Sequence, residues 1–314
     1  MYNVYDYEGN LILGIDYSTP EQYGAVGDGT SDDTTAIQNA VNSKDIVLFD
    51  SSKTYKVTNT IRLHKGSKIF LNGSTIHCTI RHVFFNFLST DTFTGYNGNG
   101  EIIIQDGTLI NGAISLAHGI NIVLKNLKLK NCINDHFLEI VGCKDFLIDN
   151  CSFVGNNGDG PSVLEYINVD PCVYNAFPAL SRESAFYDGT KNDGIEIINS
   201  YFSLGDSPYN YGYNAFGVHG VAGQSVKHKN IKLIGNTLRG FTGCGFRIND
   251  MENVVISGND INVTGDGIRV GDVGQSTNVL IKGNVICSVG TAITKANNST
   301  VFQSSDNDIN PTFS

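Results

Sequence analysis

The chain has 314 residues and a net charge of -10, and only 17% of its residues are charged. Gly occurs 35 times, Trp is absent, and Asn, Asp, Ser, Thr, Val and Ile are abundant, which predicts many short strands and tight turns rather than long helices. The acidic balance argues against nucleic acid as a partner. No run of about 18 apolar residues occurs, so no membrane insertion is predicted.

The N-terminal part predicts a leader followed by a cap. Residues 1–19 form the leader, and Met1 to Gly14 has no Lys or Arg ahead of an apolar stretch, so it does not match a conventional secretory signal. An amphipathic helix with a capping Ser or Asp is predicted from Thr30 to Val41. A solenoid needs its open end covered, so this helix can form a cap over about residues 20–45. Its predicted apolar face consists of Ala36, Ile37, Ala40 and Val41.

An internal repeat is the most informative feature of the second half. Three segments share the template Asn, apolar, any, apolar, any, Gly, Asn, any, apolar; they are Asn230–Leu238, Asn253–Ile261 and Asn278–Ile286. Looser copies cover residues 121–129, 145–153 and 194–202. Three residues before each final apolar anchor stands only Asn or Gly, which accept left-handed backbone angles at low cost. We therefore predict a recurring bend between two strands, with the anchors stacked from coil to coil.

The spacing of the anchors indicates the fold class. Leu238 to Ile261 is 23 residues and Ile261 to Ile286 is 25, a step that suits one coil of a parallel β-helix. Longer steps earlier in the chain imply insertions near residues 170–192 and 203–214. A β-sandwich is the alternative, but it does not need the same bend at the same offset. We predict an all-β, right-handed parallel β-helix over residues 20–314, with a short N-terminal capping helix.

A second class of strand supplies the candidate site. Its copies read apolar, variable, apolar, and we aligned them by their apolar pairs. This alignment predicts an outward ladder of side chains on successive coils, consisting of Glu139, Glu165, Gly217, Arg247 and Arg269. A neighbouring ladder then contains His219 and Asn249.

Two carboxylates on neighbouring coils would lie close enough to separate their pKa values. Glu139 and Glu165 would then serve as the acid and the nucleophile or base of glycoside hydrolysis. His219 would assist proton transfer, and Arg247 would hold a substrate carboxylate or hydroxyl. The alternative is a solvated ladder in which Glu and Arg side chains pair with one another.

The two insertions flank the same coils and carry aromatic and acidic side chains. Long loops in a compact array are often functional, and aromatic rings offer flat faces for sugars. We predict substrate contacts from the insertions and from the ladder itself, at Asp170, Tyr187, Asp188, Tyr211, Tyr213, Asn249 and Arg269. The alternative is that the aromatic residues only cover the edge of a sheet.

The stretch Tyr23–Ile37, followed by Ile46–Phe49 and Tyr55–Val57, resembles the start of the pectate-lyase-like superfamily of parallel β-helices. That superfamily includes polysaccharide lyases, polygalacturonase-type hydrolases, epimerases and phage tailspike depolymerases. The resemblance implies the fold and a polysaccharide partner, and for the tailspike type a homotrimer, without fixing the reaction. Tyr2–Ile12 resembles leaders of Gram-positive phage and prophage tail proteins, which implies an extracellular or virion-associated location.

Shorter matches resemble polygalacturonases. Lys191–Gly194 is similar to that family's Asn-x-Asp-Gly, and Leu204-Gly-Asp206 to part of its paired acids. Val218–Gly220 and Phe246–Ile248 resemble its Gly-His-Gly and Arg-Ile-Lys. The second acid of the pair is replaced by Ser207, so Asp193 and Asp206 are kept only as alternative catalytic acids.

No metal or cofactor is predicted. The seven Cys are an odd number and match no zinc spacing. A pectate-lyase mechanism would use calcium, which Glu139, Glu165 and Asp170 could bind with Arg247 as the base, but no specific spacing supports it. The prediction is a polysaccharide-degrading enzyme, a glycoside hydrolase in preference to a lyase, acting on an acidic or cell-surface glycan. The alternative is a non-catalytic module that binds glycan as a receptor or adhesin.

Overall fold

The computed structural model describes residues 16–158, 165–174, 186–218, 227–296, 298–303 and 305–310. Residues 1–15 of the predicted leader, residues 175–185 of the first predicted insertion, and His219 therefore lie outside the described residues. None of the helices in the described ranges is long and apolar enough to cross a membrane.

Short parallel strands make up most of the described chain. A 3-10 turn at Pro20–Tyr23 and one helix, α1 (Thr34–Ser43), lie near its start. The strands, in chain order, are β1 (Asp28–Asp32), β2 (Ile46–Leu48), β3 (Thr54–Val57), β4 (Ile61–Arg62), β5 (Lys68–Phe70), β6 (Thr75–Cys78), β7 (His82–Phe85), β8 (Ile103–Ile110), β9 (Ala113–Ala117), β10 (Ile120–Cys132), β11 (Leu138–Val141), β12 (Lys144–Asp149), β13 (Ser152–Asn156), β14 (Glu165–Asp170), β15 (Asp193–Ile198), β16 (Tyr201–Ser203), β17 (Asn214–Gly217), β18 (His228–Ile234), β19 (Thr237–Arg239), β20 (Cys244–Ile248), β21 (Met251–Ser257), β22 (Asp260–Val263), β23 (Asp266–Val270), β24 (Thr277–Lys282), β25 (Val285–Ser288), β26 (Ile293–Lys295), β27 (Val301–Gln303) and β28 (Asp308–Ile309).

The strands form two sheets that run along a right-handed parallel β-helix, as predicted. Sheet 1 contains two ladders, one through β12, β15, β18, β21 and β24 and one through β13, β16, β19, β22 and β25, which the long strands β8 and β10 join. Sheet 2 is a single ladder of β4, β7, β9, β11, β14, β17, β20, β23 and β26. Each full coil therefore crosses three flanks, and residues at the same rung of neighbouring coils lie about 4.8 Å apart.

The predicted bends are confirmed at all six positions. Their φ values lie between 51° and 65°, in the left-handed region that Asn and Gly accept; the positions are Asn126, Asn150, Asn199, Gly235, Gly258 and Gly283. The anchors after the bends also pair in register from coil to coil, from Leu129 with Phe153 to Ile261 with Ile286. The rings of Phe153 and Phe202 stack with their centroids 4.9 Å apart inside the helix.

The cap differs from the prediction at its start. Residues from Asp28 to Asp32 form β1, which pairs with β3, so the helix begins at Thr34 rather than Thr30. Asp33, at the N-cap position, does not cap the helix with its side chain. Its carboxylate accepts instead from the backbone of Val26 and Gly27, which ties down the preceding loop. The four predicted apolar positions of the helix are all buried.

The register of sheet 2 corrects the predicted outward ladder. Glu139 pairs with Asn168, three residues after Glu165, so Glu165 does not occupy the rung that the sequence alignment gave it. Residues 164–166 and 167–169 both follow the pattern apolar, polar, apolar. The pairing of β11 with β14 places the second triplet, not the first, beside residues 138–140. The observed outward ladder runs through Ser115, Glu139, Asn168, Gly217, Arg247 and Arg269.

Candidate active site

Asp135 and Glu139 form an acid pair at the start of β11. Asp135 is 1% exposed and Glu139 is 9% exposed, and a carboxylate oxygen of each lies within 4.8 Å of the other. Burial, together with the charge of Asp135, raises the pKa of Glu139 to about 8. Burial also raises the pKa of Asp135, to about 6, against the opposing effect of Arg81. The pKa of Glu139 is raised further than that of Asp135, so Glu139 is the member of the pair that favours keeping a proton.

Three side chains from neighbouring coils surround the acid pair. Arg81 Nε lies 2.6 Å and His82 Nε2 lies 3.0 Å from Asp135 Oδ2, at angles too bent for regular hydrogen bonds. Ser115 Oγ lies 2.7 Å from Glu139 Oε2 and 3.0 Å from His82 Nδ1. Burial, with the charge of Arg81, lowers the pKa of His82 to about 3, so its ring is neutral at pH 7.

Glu165 lies one coil further along sheet 2 and is fully buried. Its Oε1 accepts from Asn214 Nδ2 at 3.2 Å and lies 3.4 Å from Arg247 Nη1, whereas its Oε2 is buried without a hydrogen bond. Burial raises the pKa of Glu165 to about 7, and the charge of Arg247 opposes that rise. His136 links the two acid sites, because its Nδ1 lies 2.5 Å from the Glu165 carbonyl oxygen.

Two arginines occupy the outward ladder, as predicted, but each already has carboxylate partners. Arg247 Nε lies 3.3 Å from Asp272 Oδ2, and Arg269 bonds to Asp266 at 2.9 Å. Arg247 therefore neutralises acids of the protein itself, which differs from the predicted role of holding a substrate carboxylate. A Cβ at Gly217 would lie 2.9 Å from Glu165 Cγ, so this rung of the ladder has no open space beside Glu165.

Two of the predicted substrate contacts on sheet 2 are buried. Asp170 is 1% exposed and accepts from Asn168 Nδ2 at 3.0 Å. Asn249 is 3% exposed, and its Oδ1 lies 3.5 Å from the Val273 amide nitrogen. The predicted substrate contacts of Asp170 and Asn249 therefore stay predictions, with both side chains buried in this structure.

The first insertion places its predicted contacts away from the acid pair. Tyr187 is half-buried against Phe186, with ring centroids 5.6 Å apart. Asp188 is exposed and accepts from the backbone of Gly95 and Thr190. These residues belong to a separate cluster that covers the end of the sheet near His118.

The second insertion lies closer to Glu165. The carbonyl of Tyr211 accepts from Tyr166 at 2.9 Å, and the pKa of the Tyr211 phenol is raised by burial and by the charges of Tyr213 and Glu165. Tyr213 packs its ring against Gly243, where a Cβ would be only 2.6 Å away.

The alternative catalytic acids lie elsewhere. Asp193 begins β15 on sheet 1, where it accepts from Asn230 Nδ2 at 2.6 Å. Asp206 is exposed in the turn after β16, and its carbonyl accepts from Tyr209. The two are therefore separated from the acid pair on sheet 2.

The sequence analysis missed Asp135, His82, Ser115 and Arg81. A signal was available in Asp135-His136, an acid next to a histidine immediately before a strand that carries Glu139. It was overlooked because outward positions were sought only within strands, whereas Asp135 lies in the turn before β11.

Two clusters of donor atoms have the spacing of a cation site among the described residues. In the first, made of Asp135, His136 and Glu139, Arg81 already supplies the positive charge, so the set does not fit a resident metal ion. In the second, made of His118, Cys172 and Asp188, the His118 ring nitrogens lie 2.7 and 2.8 Å from two backbone carbonyl oxygens. Calcium binding by Glu139, Glu165 and Asp170 has no support in this geometry, because Asp170 bonds to Asn168.

No model of a known protein family matches the chain. Plasmin and fibronectin-binding protein A of Streptococcus pneumoniae is 28% identical over 299 aligned residues, which cover 82% of this chain and 41% of that protein. A capsule-specific depolymerase of Klebsiella phage K64-1 is 29% identical over 269 aligned residues, which cover 75% of this chain and 32% of the depolymerase. The chain thus spans less than half of the length of either relative.

Solved structures agree with these relatives at the level of the fold. The Streptococcus pneumoniae surface protein and adhesin PfbA superimposes with a TM-score of 0.77 at 21% identity, over 94% of this chain and 92% of that one. The tailspike protein of Escherichia coli bacteriophage HK620, solved with a pentasaccharide, gives a TM-score of 0.57 at 13% identity, over 97% of this chain and 54% of that one. The predicted resemblance is confirmed, and the chain has the right-handed parallel β-helix fold of this adhesin and of phage tailspikes.

Proposed function

We propose that the chain binds a polysaccharide along the outer face of sheet 2 and hydrolyses it at the acid pair of Asp135 and Glu139. The observation that carries the proposal is the pair itself: two buried carboxyls within 4.8 Å of each other, with the pKa of Glu139 raised further than that of Asp135. Glycosidases need such a division of roles between two carboxyls. Glu165 then serves as a third acid beside the cleavage point rather than as half of the pair.

The proton on Glu139 assigns the role of general acid to Glu139 and the role of nucleophile to Asp135. Glu139 gives its proton to the glycosidic oxygen as the bond between that oxygen and the sugar C1 breaks, and the Asp135 carboxylate bonds to C1. Water then attacks C1, releases Asp135 and returns a proton to Glu139. One oxygen of each carboxyl lies within 4.8 Å of the other, which is closer than the separation of about 6.5–9.5 Å typical of inverting hydrolases, so retention of the anomeric configuration is expected.

Access requires a movement at the surface. The Arg81 side chain is 55% exposed and lies over Asp135, next to a cavity of about 260 Å³ lined by Thr79, Ile80, Arg81, Ile133 and Asn134. A sugar that displaces Arg81 from Asp135 would free the carboxylate for bonding to C1. An acidic or hydroxyl-rich glycan suits this step, because it can accept the guanidinium's hydrogen bonds in exchange.

The test is the size distribution of bacterial surface and acidic plant polysaccharides after incubation with the protein, with ultraviolet absorbance recorded for unsaturated ends. Shortening without absorbance supports hydrolysis, and Glu139→Gln or Asp135→Asn should then reduce the rate at least about 100-fold. Glu196→Gln is the matched control, because Glu196 is an exposed partner of Lys232 on sheet 1. Shortening with new absorbance would replace the proposal with a lyase, and undiminished cleavage by both site variants would refute the site.

A second candidate is a non-catalytic module that binds surface glycan or protein. The low exposure of Asp135 and Glu165, 1% and 0%, favours it, as does the similarity to a pneumococcal adhesin. Binding to a glycan array with no shortening after prolonged incubation would support this candidate. In either case we propose an extracellular or virion-associated location; the homotrimer stays a prediction, which analytical ultracentrifugation tests.

A further inference from the structure

Ser115 and His82 connect the two carboxyls of the acid pair through a continuous chain of contacts. Glu139 Oε2 lies 2.7 Å from Ser115 Oγ, Ser115 Oγ lies 3.0 Å from His82 Nδ1, and His82 Nε2 lies 3.0 Å from Asp135 Oδ2. This series of contacts crosses three coils, since His82 is on β7, Ser115 on β9 and Glu139 on β11. All four side chains are at least nine-tenths buried, so water does not compete for these contacts.

Three protons can be placed along these contacts in two arrangements, which we call the first and the second solution. In the first, Glu139 donates its proton to Ser115 Oγ, the Ser115 hydroxyl donates to His82 Nδ1, and His82 carries its own hydrogen on Nε2, 3.0 Å from Asp135 Oδ2. In the second, Asp135 holds the proton, His82 carries its hydrogen on Nδ1, and Ser115 donates to the Glu139 carboxylate. Both contain the same three protons, and moving each proton by one contact converts one solution into the other.

We propose that Ser115 and His82 form a proton relay that shares a single proton between Glu139 and Asp135. This inference deepens the proposed hydrolysis and rests on it. The carboxyl that holds the shared proton acts as the acid, and the other carboxyl acts as the nucleophile. The contact between His82 Nε2 and Asp135 Oδ2 is 3.0 Å long but lies outside hydrogen-bond geometry, so the relay requires the His82 ring to turn before this last proton moves. Ser115 and His82 are positioning residues, since neither touches the reacting sugar.

The surroundings of His82 favour the first solution. Burial lowers the pKa of the His82 ring, and the charges of Arg81, His136 and Arg62 lower it further. The Arg62 guanidinium lies over Phe85, whose ring centroid is 4.9 Å from that of His82. These groups disfavour a second proton on the imidazole, so the ring passes a proton on rather than storing one. Arg81 also holds negative charge on Asp135 and thereby leaves the proton on Glu139.

The first experiment is ¹⁵N NMR of the histidine side chains in the full chain between pH 5 and 8, with the His82 signal assigned by its loss in His82→Gln. We expect a neutral ring with its hydrogen on Nε2. The same tautomer should persist in Glu139→Gln, whose amide donates to Ser115 as the protonated acid does. A hydrogen fixed on Nδ1 in both proteins, or a ring protonated across this range, would overturn the relay.

The second experiment is the pH profile of polysaccharide cleavage. Ser115→Ala removes the donor to ionised Glu139, so the alkaline limb should move to higher pH and the maximal rate should fall about tenfold or more. His77→Gln, a histidine on the outer face of sheet 1, is the matched control and should leave the profile unchanged. The NMR result does not need activity, so the expected tautomer without cleavage would refute the proposed hydrolysis alone, whereas cleavage with an unchanged Ser115→Ala profile would refute the relay alone.

Discussion

Arg247 and Glu165 form a buried ion pair, with Arg247 Nη1 3.4 Å from Glu165 Oε1 and the Arg247 side chain only 14% exposed. Removing the cation leaves the Glu165 carboxyl fully buried without its charge partner, and ionisation there is costly. We expect Arg247→Met to raise the pKa of Glu165 further and to destabilise the fold by about 2–4 kcal/mol at pH 8, and by less at pH 6, where Glu165 is already largely protonated.

Urea unfolding at the two pH values measures this difference. Arg239→Met is the control, because its pair with Asp260 is exposed and should contribute less than about 1 kcal/mol. The double variant Arg247→Met/Glu165→Gln should recover most of the loss at pH 8. Equal destabilisation at both pH values would contradict the electrostatic explanation and indicate lost packing.

Glu139 makes the stability of the protein fall as the pH rises. Its pKa is raised from 4.5 to about 8 in the folded state, so the folded protein binds the proton more tightly than the unfolded chain. The resulting stability is fully present below pH 4.5 and is lost as the pH rises through about 8. We expect Glu139→Gln to resemble the wild type at pH 5 and to be more stable at pH 9 by on the order of 3 kcal/mol.

Thermal unfolding of both proteins from pH 5 to pH 9 checks this prediction. Glu196→Gln should follow the wild type throughout, because Glu196 is exposed and lies on the other sheet. Parallel curves for Glu139→Gln and the wild type would mean that Glu139 is ionised in the folded protein, which would also remove the general acid from the proposed mechanism.

The bend at Gly258 tests the rule that Asn and Gly occupy these positions because they accept left-handed backbone angles. Gly258 has φ of 63°, and a Cβ there would meet nothing closer than 4.0 Å, so only backbone strain opposes a side chain. Asn stands at the equivalent bends 126, 150 and 199 with the same backbone angles. We expect Gly258→Asn to change stability by less than about 1 kcal/mol and Gly258→Val to cost about 2 kcal/mol, measured by urea unfolding. Equal effects of the two substitutions would show that space, not backbone angle, governs the position.

The sequence predicted sheet 1 better than sheet 2 for a physical reason. On sheet 1 the six repeat copies each carry a bend with a left-handed residue, so Asn or Gly marks the register in each of them. Sheet 2 has no such mark, and around Glu165 two consecutive triplets share one pattern, so the alignment was wrong by three residues. The apolar and polar pattern also does not predict the contacts of Tyr166. Its ring packs inside the β-helix against Phe137, while its hydroxyl donates to the Tyr211 carbonyl.

The register of sheet 2 was predicted in part. Glu139, Arg247 and Arg269 do lie on one ladder, whereas the predicted catalytic roles stay predictions. The partner of Glu139 was missed because the turn before β11 brings Asp135 back toward the strand, which no strand periodicity encodes. The burial of these acids could not be predicted either, since it depends on side chains such as His82 and Ser115 from coils far away in sequence.

A ladder of buried asparagines follows the bends on sheet 1. Asn259 is 1% exposed; its Oδ1 accepts from the Asn236 amide at 2.9 Å, and its Nδ2 donates to the Leu233 carbonyl at 2.8 Å. The Asn284 side chain repeats the arrangement one coil later, accepting from the Asn259 amide at 3.0 Å. Each side chain therefore satisfies backbone groups of the neighbouring coil that the turn leaves without a strand partner.

We expect Asn259→Leu to destabilise the fold by about 2–4 kcal/mol, because a side chain of similar size leaves a buried donor and a buried acceptor unpaired. Asn262→Leu is the matched control, since Asn262 is exposed on β22 of the same coil, and its substitution should cost less than about 1 kcal/mol. Urea unfolding gives the global difference, and amide hydrogen exchange locates it. The Asn236 amide should lose protection in Asn259→Leu while the amides of β14 on sheet 2 keep theirs. Unchanged protection at Asn236 would show that the backbone groups find other partners and that the ladder is not needed to close the coils.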